Sequence, residues 1–263
     1  MKSFRNFLAP ACIAAAVLSA SPVAAQNNMP DLSSVSTTNS GPSSTAWYPD
    51  RAAPAGFGNV SSFAGRSNVL QETVAGTDLN ASEFYNTQGR KIDVSHSGPS
   101  NYFADVFIDA TWASNTAGNR RTDLWGTTAN GSTVTGYPII GFTNEGGTGT
   151  MRFWNTMTGV WTNVSSGFTY GAWNQIGFSW DGTSNTANYW LNGVNVGATG
   201  LDAGTTNVAN VMIQTHNYGS SYSSYYSNTM ESIPSTTPEP TSVALLGTGL
   251  VGLVPLARRR RVR

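Results

Sequence analysis

Asp105 and Asp109 are the two acids of this chain that share one alternating stretch, which puts both on the same face of an extended strand. Four residues at about 3.3 Å each hold them roughly 13 Å apart along that strand. Acid pairs in glycoside hydrolysis work at about 5–5.5 or 6.5–9.5 Å, so these two cannot act as a pair. Glu145 stands alone in the turn-like Asn144-Glu145-Gly146-Gly147, where a solvated loop acid is expected. His96 and His216 are the only histidines, and no spacing ties either to a nucleophile or a metal set. No glycine-rich phosphate loop leads into a helix. Calcium needs several convergent oxygens. Asp105, Asp109 and Asp181 are its weak candidate ligands, but their spacing builds no ligand loop, and turn or edge carboxylates is the plainer reading. The expectation is a non-enzyme without a cofactor, unless acids converge from distant strands.

Aromatic side chains are the stronger chemistry. Sugar rings have apolar C–H faces that stack on aromatics, while amides and carboxylates take up the hydroxyls. Trp112, Trp125, Trp154 and Trp190 are the candidate glycan-binding residues, in a chain also carrying Trp161, Tyr218, Tyr222, Tyr225 and Tyr226. A β-sandwich buries tryptophans too, so each of them competes with a place in the core. Arg120-Arg121-Thr122-Asp123 could line the rim of a site or lie in a solvated loop.

The elements that must position these residues read as strands. Tyr102 to Trp112 sets Tyr102, Ala104, Val106, Ile108 and Ala110 against Phe103, Asp105, Phe107 and Asp109. Asn174 to Trp180 sets Ile176, Phe178 and Trp180 on one face. In Tyr189–Val196 the central Asn192-Gly193 suits the positive φ angles of a type I′ turn. A two-residue loop there pairs Leu191 with Val194 and Tyr189 with Val196. Further strands are expected at Tyr137–Phe142, Thr150–Trp154, Val160–Val164 and Val208–Thr215, with turns near 131, 146–149, 155–159 and 200–207. No stretch of the body has a capped helical stripe. The fold class is all-β, an antiparallel sandwich or barrel.

Trp173-Asn174-Gln175-Ile176-Gly177-Phe178-Ser179-Trp180-Asp181-Gly182, followed by Tyr189-Trp190-Leu191-Asn192-Gly193, resembles the laminin-G and concanavalin-A-like jelly-roll families. That resemblance implies a jelly-roll sandwich. Members of those families bind glycans, cleave them or bind proteins, often with calcium, and none of these abilities transfers without its own residues.

The two ends carry addresses. Lys2 and Arg5, the apolar run Phe7–Ala20 and the small residues Val23-Ala24-Ala25 form a secretory signal, with cleavage between Ala25 and Gln26 by signal peptidase. The only cysteine, Cys12, lies inside it, so the mature chain has no disulfide and must rest on a hydrophobic core. At the other end Pro238-Glu239-Pro240, an apolar run over 242–257 and Arg258-Arg259-Arg260-Arg261 resemble the PEP-CTERM sorting signal of Gram-negative bacteria. The resemblance implies an inner-membrane-tethered precursor, cleavage near Pro-Glu-Pro by an exosortase-type enzyme, and delivery to the outer envelope or extracellular matrix of biofilm-forming cells. The apolar run is short against the roughly 20 residues of a spanning helix, and its arginines should stay cytoplasmic. A permanent anchor is the alternative.

The expected organisation is a signal peptide at 1–25, a flexible leader at 26–56, a β-sandwich at 57–231, a stalk at 232–241, an apolar transmembrane segment at 242–257 and a basic tail at 258–263. The formal charge is zero, yet residues 26–240 hold 7 Lys+Arg against 14 Asp+Glu, leaving that body near −7. Such a body is poorly suited to nucleic acid. Extracellular polysaccharide is the expected partner, with the protein binding it or forming part of its matrix. A glycoside hydrolase or lyase with dispersed catalytic residues, and a self-associating surface adhesin, are the rival readings.

Overall fold

Alternating apolar residues and glycine-rich turns leave this chain one economical way to hide its side chains: two sheets, face to face. A computed structural model of the chain describes residues 32, 35, 40–164 and 166–232. The first sheet runs in the order β1 (Tyr48–Pro49), β4 (Thr87–Ser97), β14 (Asn207–His216), β6 (Arg121–Asn130), β8 (Ile139–Thr143), β9 (Thr150–Asn155) and β10 (Val160–Val164), with β7 (Thr133–Gly136) paired to β6. The second runs β13 (Val194–Gly200), β12 (Thr186–Leu191), β11 (Ala172–Trp180), β5 (Ser100–Ile108), β15 (Tyr222–Ser232), β3 (Arg66–Val74) and β2 (Gly56–Phe63). Every pairing is antiparallel, and neighbours far apart in sequence, such as β14 with β6 and β5 with β15, give the jelly-roll character. The strands expected at 150–154, 160–164 and 208–215 are present within a residue or two, and the one expected at 137–142 begins at Ile139.

The core fills the space between the sheets. Tyr102, Val106 and Ile108 of β5 meet Ile176, Phe178 and Trp180 of β11 there, all essentially inaccessible. From the other sheet come Ile92, Leu124, Ile140, Phe142 and Ile213. Each such side chain contributes about 1.5–3 kcal/mol on burial, which answers the need for a real core without disulfides.

Two details differ from the sequence expectation. Strand β5 ends at Ile108, and Asp109 caps a 3-10 turn over Ala110–Ala113 by accepting from Thr111 N, so Ala110 and Asp109 are not strand residues. In the β12–β13 hairpin Leu191 does pair with Val194, and Asn192 and Gly193 take φ of 49° and 78°. A bulge between Tyr189 and Trp190 then pairs Tyr189 with Gly197 instead of Val196. The glycine leaves room on the core side, where a Cβ would strike the Phe153 ring that stacks on Tyr189.

The flexible leader is also corrected. Within 26–56, Tyr48–Pro49 pairs with β4, and Trp47 is fully buried against Phe57 with its carbonyl accepting from Arg90 Nη1. One large aromatic at Trp47 outweighs the polar composition around it. The stalk beyond Ser232, the signal segment with Ala25 and Gln26, and the sorting segment with Pro238, Glu239 and Pro240 lie outside the described residues. Among the described residues no helix is long and apolar enough to cross a membrane.

Candidate functional site: an aromatic groove on the outer face of the first sheet

Strand register places one row of outward residues across the first sheet. Met212 of β14 sits beside Trp125 of β6, Trp125 beside Ile139 of β8, and Trp154 of β9 beside Trp161 of β10. These residues, with Tyr137 and Arg121, enclose a depression of about 240 Å³ lined by Arg121, Trp125, Tyr137, Ile139, Trp154 and Trp161. Tyr137 meets Trp125 edge-on at 5.9 Å, and Trp154 meets Trp161 at 5.3 Å. A second depression of about 370 Å³ shares Trp125 and Tyr137 and extends toward Asp50, Arg51, Phe84, Lys91 and Asn210. The two form one groove across the strands, with aromatic walls.

Charged groups line the floor and flanks in compensated sets. Asp50 takes Lys91 and Arg51, each at 2.9 Å, and Gln214 bridges Arg51 and Asp50 at 2.7 and 2.9 Å. Arg121 pairs with Asp123 at 2.8 Å, and Arg152 with Glu145 at 2.7 Å. The guanidiniums also cover aromatic faces: Arg51 lies over Trp125 at 4.5 Å, and Arg121 and Arg152 over Trp161 at 4.9 and 4.2 Å. Glycine keeps the floor low. A Cβ at Gly141 would collide with the Asp123 carboxylate, and one at Gly89 with Gln214.

His216 continues this face toward one end, 3% exposed, with Thr87 Oγ1 at 2.9 Å from Nδ1 and Glu83 at 2.9 Å from Nε2. Its ring lies 4.4 Å from that of Tyr218. Burial, reinforced by Arg121, pushes the His216 pKa down despite Glu83. Burial and the neighbouring Glu145 carboxylate push the Tyr218 phenol well up. For Glu145, burial alone would raise the pKa, but the Tyr218 hydroxyl, Arg152 and Arg121 outweigh it and hold the group ionised below the usual range. Asp123 Oδ1, Trp125 Nε1 and Asn210 Oδ1 are buried on this face without a hydrogen-bond partner among the described residues. Buried polar atoms are seldom left so, and two of them, on Trp125 and Asn210, belong to residues that line the depressions.

The structure sorts the four candidate tryptophans. Trp125 and Trp154 come together in the groove. Trp112 is 6% exposed and packs between Phe142 and Tyr222, so it is a core residue. Trp190 lies on the second sheet, its indole donating to Ser179 Oγ. The weak calcium candidates are not brought together. Asp105 is held by Arg66 and Asn228, and Asp109 caps its turn beyond Ile108. Asp181 accepts from Thr183 and Ser184 beyond the other end of that strand pair, where Trp180 faces Ser100. Among the described residues no group of three His, Cys, Asp or Glu is placed to hold a metal. Sequence reasoning missed Arg51, Phe84, Tyr137 and Gln214 as groove residues. The alternation Arg121-x-Asp123-x-Trp125 was the signal that could have found its centre.

The fold and groove define an all-β jelly-roll sandwich with an aromatic, polar-flanked outer face. Residues 236–261 match the PEP-CTERM protein-sorting motif, which marks an exported protein bearing a C-terminal sorting signal for exosortase-type processing. Among curated proteins no sequence match is found. Solved structures of similar shape include a cellulose-induced protein, Cip1, at 14% identity and TM-score 0.49, covering 71% of this chain and 90% of that one. An alginate lyase, vAL-1, from Chlorella virus aligns at 13% identity and TM-score 0.46, over 71% and 93% of the two chains. A sialidase aligns at 9% identity and TM-score 0.46 over 72% of this chain but only 17% of its own length. These are distant likenesses of shape.

Proposed function

We propose that this protein is an exported, non-catalytic glycan-binding component of the cell envelope or extracellular matrix, and that polysaccharide lies along the groove of the first sheet. The observation that carries this reading is the groove itself: Trp125, Tyr137, Trp154 and Trp161 beside the unpaired polar atoms of Trp125 and Asn210. Ring faces would meet the C–H faces of sugars, and the polar atoms their hydroxyls. Both depressions are open, and the row crosses several strands about 4.8 Å apart, which suits an internal stretch of chain. Every acid of the groove has a basic partner and Asp50 has two, so the site carries little net charge, slightly positive, and accepts a neutral or weakly acidic polysaccharide. The sorting motif supports export, and an exported protein can meet such polymers.

The test is retention of purified residues 26–237 on a panel of immobilised polysaccharides, the host's own included. Retention that disappears in the Trp125→Ala/Trp161→Ala variant supports the reading. No retention on any of them overturns it.

One observation favours a second reading, glycan cleavage: His216, Tyr218 and Glu145 are gathered on the same sheet face from different strands and loops. Against it, Glu145 is held ionised by Arg152, and His216 has a neighbour at each ring nitrogen. New reducing ends, or new unsaturated ends absorbing in the ultraviolet, appearing with the wild-type protein and not with His216→Ala would establish cleavage in place of simple binding.

A further inference from the structure

A second polar and aromatic depression lies away from the groove, at the end of the sandwich beside the second sheet. It has a volume of about 270 Å³, and Phe107, Asp109, Thr111, Arg120, Ser223 and Tyr225 line it, together with Trp112 and Tyr222, whose rings otherwise pack in the core. Phe107 and Tyr225 lie on the outward faces of β5 and β15, since their neighbours Val106, Ile108 and Tyr226 fill the core. We infer that this depression is a second ligand site, taking a single sugar residue, either a chain end or a branch, so that the protein has two glycan sites on separate faces. The sugar class rests on the reading above that this body meets polysaccharide; the geometry of the site does not.

Three observations carry the inference. The aromatic wall is fixed before any ligand arrives: Phe63 stacks on Tyr225 at 3.6 Å and 7°, Phe63 meets Phe107 edge-on at 5.1 Å, and Gln71 Nε2 donates to the Tyr225 hydroxyl. The cation is fixed as well. Arg120 donates from Nη1 to Asn119 O and Ser220 Oγ and from Nη2 to Ala117 O, with its guanidinium 4.5 Å over the Tyr222 ring. Groups already held in place lose little freedom when a ligand docks, which is where weak polar ligands gain affinity. The third observation is Asp109. Both of its turn hydrogen bonds, from Thr111 N and Thr111 Oγ1, go to Oδ1, and among the described residues no group bonds Oδ2. A carboxylate oxygen near an aromatic ring can accept from a sugar hydroxyl while the ring face packs on C–H groups.

Size separates the two sites. The end depression stands alone below the roughly 300–1,000 Å³ of ordinary small-molecule pockets and fits one ring, whereas the 240 Å³ depression of the groove continues into another of about 370 Å³ and offers room for a chain. The groove crosses strands of the first sheet, whereas the end depression is walled by outward residues of the second sheet. The two sheets pack face to face with the core between them, so the aromatic walls of the two sites, on the outward faces, point away from each other. Occupied together, the two sites would join two polymer chains, and joining them raises retention in a matrix far above either affinity alone.

Two substitutions test the end site with little risk to the fold. Asp109→Asn keeps the oxygen that caps the turn and removes the carboxylate, and Thr111→Trp places a large side chain from an exposed position into the depression. Saturation-transfer NMR on purified residues 26–237 is run with glucose, galactose, mannose and N-acetylglucosamine, each up to about 50 mM. In parallel, turbidity is followed on mixing the protein with whichever polysaccharide retains it. The expected result is monosaccharide binding that survives Trp125→Ala/Trp161→Ala, falls at least tenfold in Asp109→Asn and disappears in Thr111→Trp. Turbidity should need both sites, whereas simple retention should need only the groove. No binding of any of the four sugars, or binding that both end-site variants leave unchanged, overturns the second site. Loss of polysaccharide retention by the wild-type protein would instead strike the groove reading, so the two failures are told apart.

Discussion

Glu72 is a side chain whose chemistry departs far from its ordinary behaviour. It is fully buried between the sheets, with Thr215 donating to Oε2, while Oε1 has no partner among the described residues. Burial drives its pKa well up, Asp123 adds to that, and the hydroxyls of Thr215 and Ser224 with Arg90 only partly oppose it. The folded chain therefore keeps this proton to higher pH than the unfolded chain. Its contribution to stability is complete below the unfolded value and is lost progressively as pH rises toward the folded value, by at most about 1.4 kcal/mol per pH unit. Glu72→Gln, which cannot ionise, removes that slope. Its thermal midpoint should gain on the wild type as pH is raised from 4.5 to 8, and a constant difference across that range would refute the buried neutral acid. At the groove, Trp125→Ala should weaken polysaccharide binding about tenfold, close to 1.4 kcal/mol, with the fold retained because Trp125 is only half-buried. Isothermal titration reads the first effect and circular dichroism the second. Equal losses of binding and folded structure would place Trp125 in the core.

The strands were legible where local pattern and turn chemistry agree. The Asn192-Gly193 turn and the core faces of β5 and β11 follow from alternation because one face of each strand meets only the other sheet. The bulge at Tyr189/Trp190 was not legible, since it depends on Phe153 arriving from the opposite sheet. Nor was the groove, which is assembled from β6, β8, β9, β10 and β14 by pairings that span up to 93 positions of sequence, as in Thr122 to Thr215. Trp112 could not be told from Trp125 by type or spacing; only the packing of the Ala110–Ala113 turn against Phe142 separates them. Trp47 shows the same limit, one buried ring inside a stretch whose composition reads as mobile. Trp47→Ala should cost about 3–5 kcal/mol, the usual loss for a large core aromatic. Urea unfolding measures it, and a change below about 1 kcal/mol would mean that the segment before β2 adds nothing to the sandwich.

Across the whole molecule, charge and address are separated. The basic clusters sit at the two ends, Lys2 and Arg5 at one and Arg258 to Arg261 with Arg263 at the other, while residues 26–240 hold twice as many acids as bases. Positive residues flanking an apolar run stay on the cytoplasmic side, so the cluster after 242–257 would hold the precursor at the inner membrane with the acidic body outside. Loss of that cluster on processing would leave a body carrying net negative charge, which disfavours return to an anionic lipid surface and favours release. Replacing Pro238-Glu239-Pro240 by three alanines separates this sequence of events from a permanent anchor. The expected outcome in the native host is a precursor that keeps the mass of its C-terminal residues and stays with the membrane fraction, while the unaltered protein is shorter and found outside it. Unchanged mass and location in the substituted protein would mean that the motif does not direct processing. Any polysaccharide bound in the groove would then be met at the membrane surface, and retention of residues 26–237 in vitro would be unaffected, because that fragment does not contain the residues being replaced.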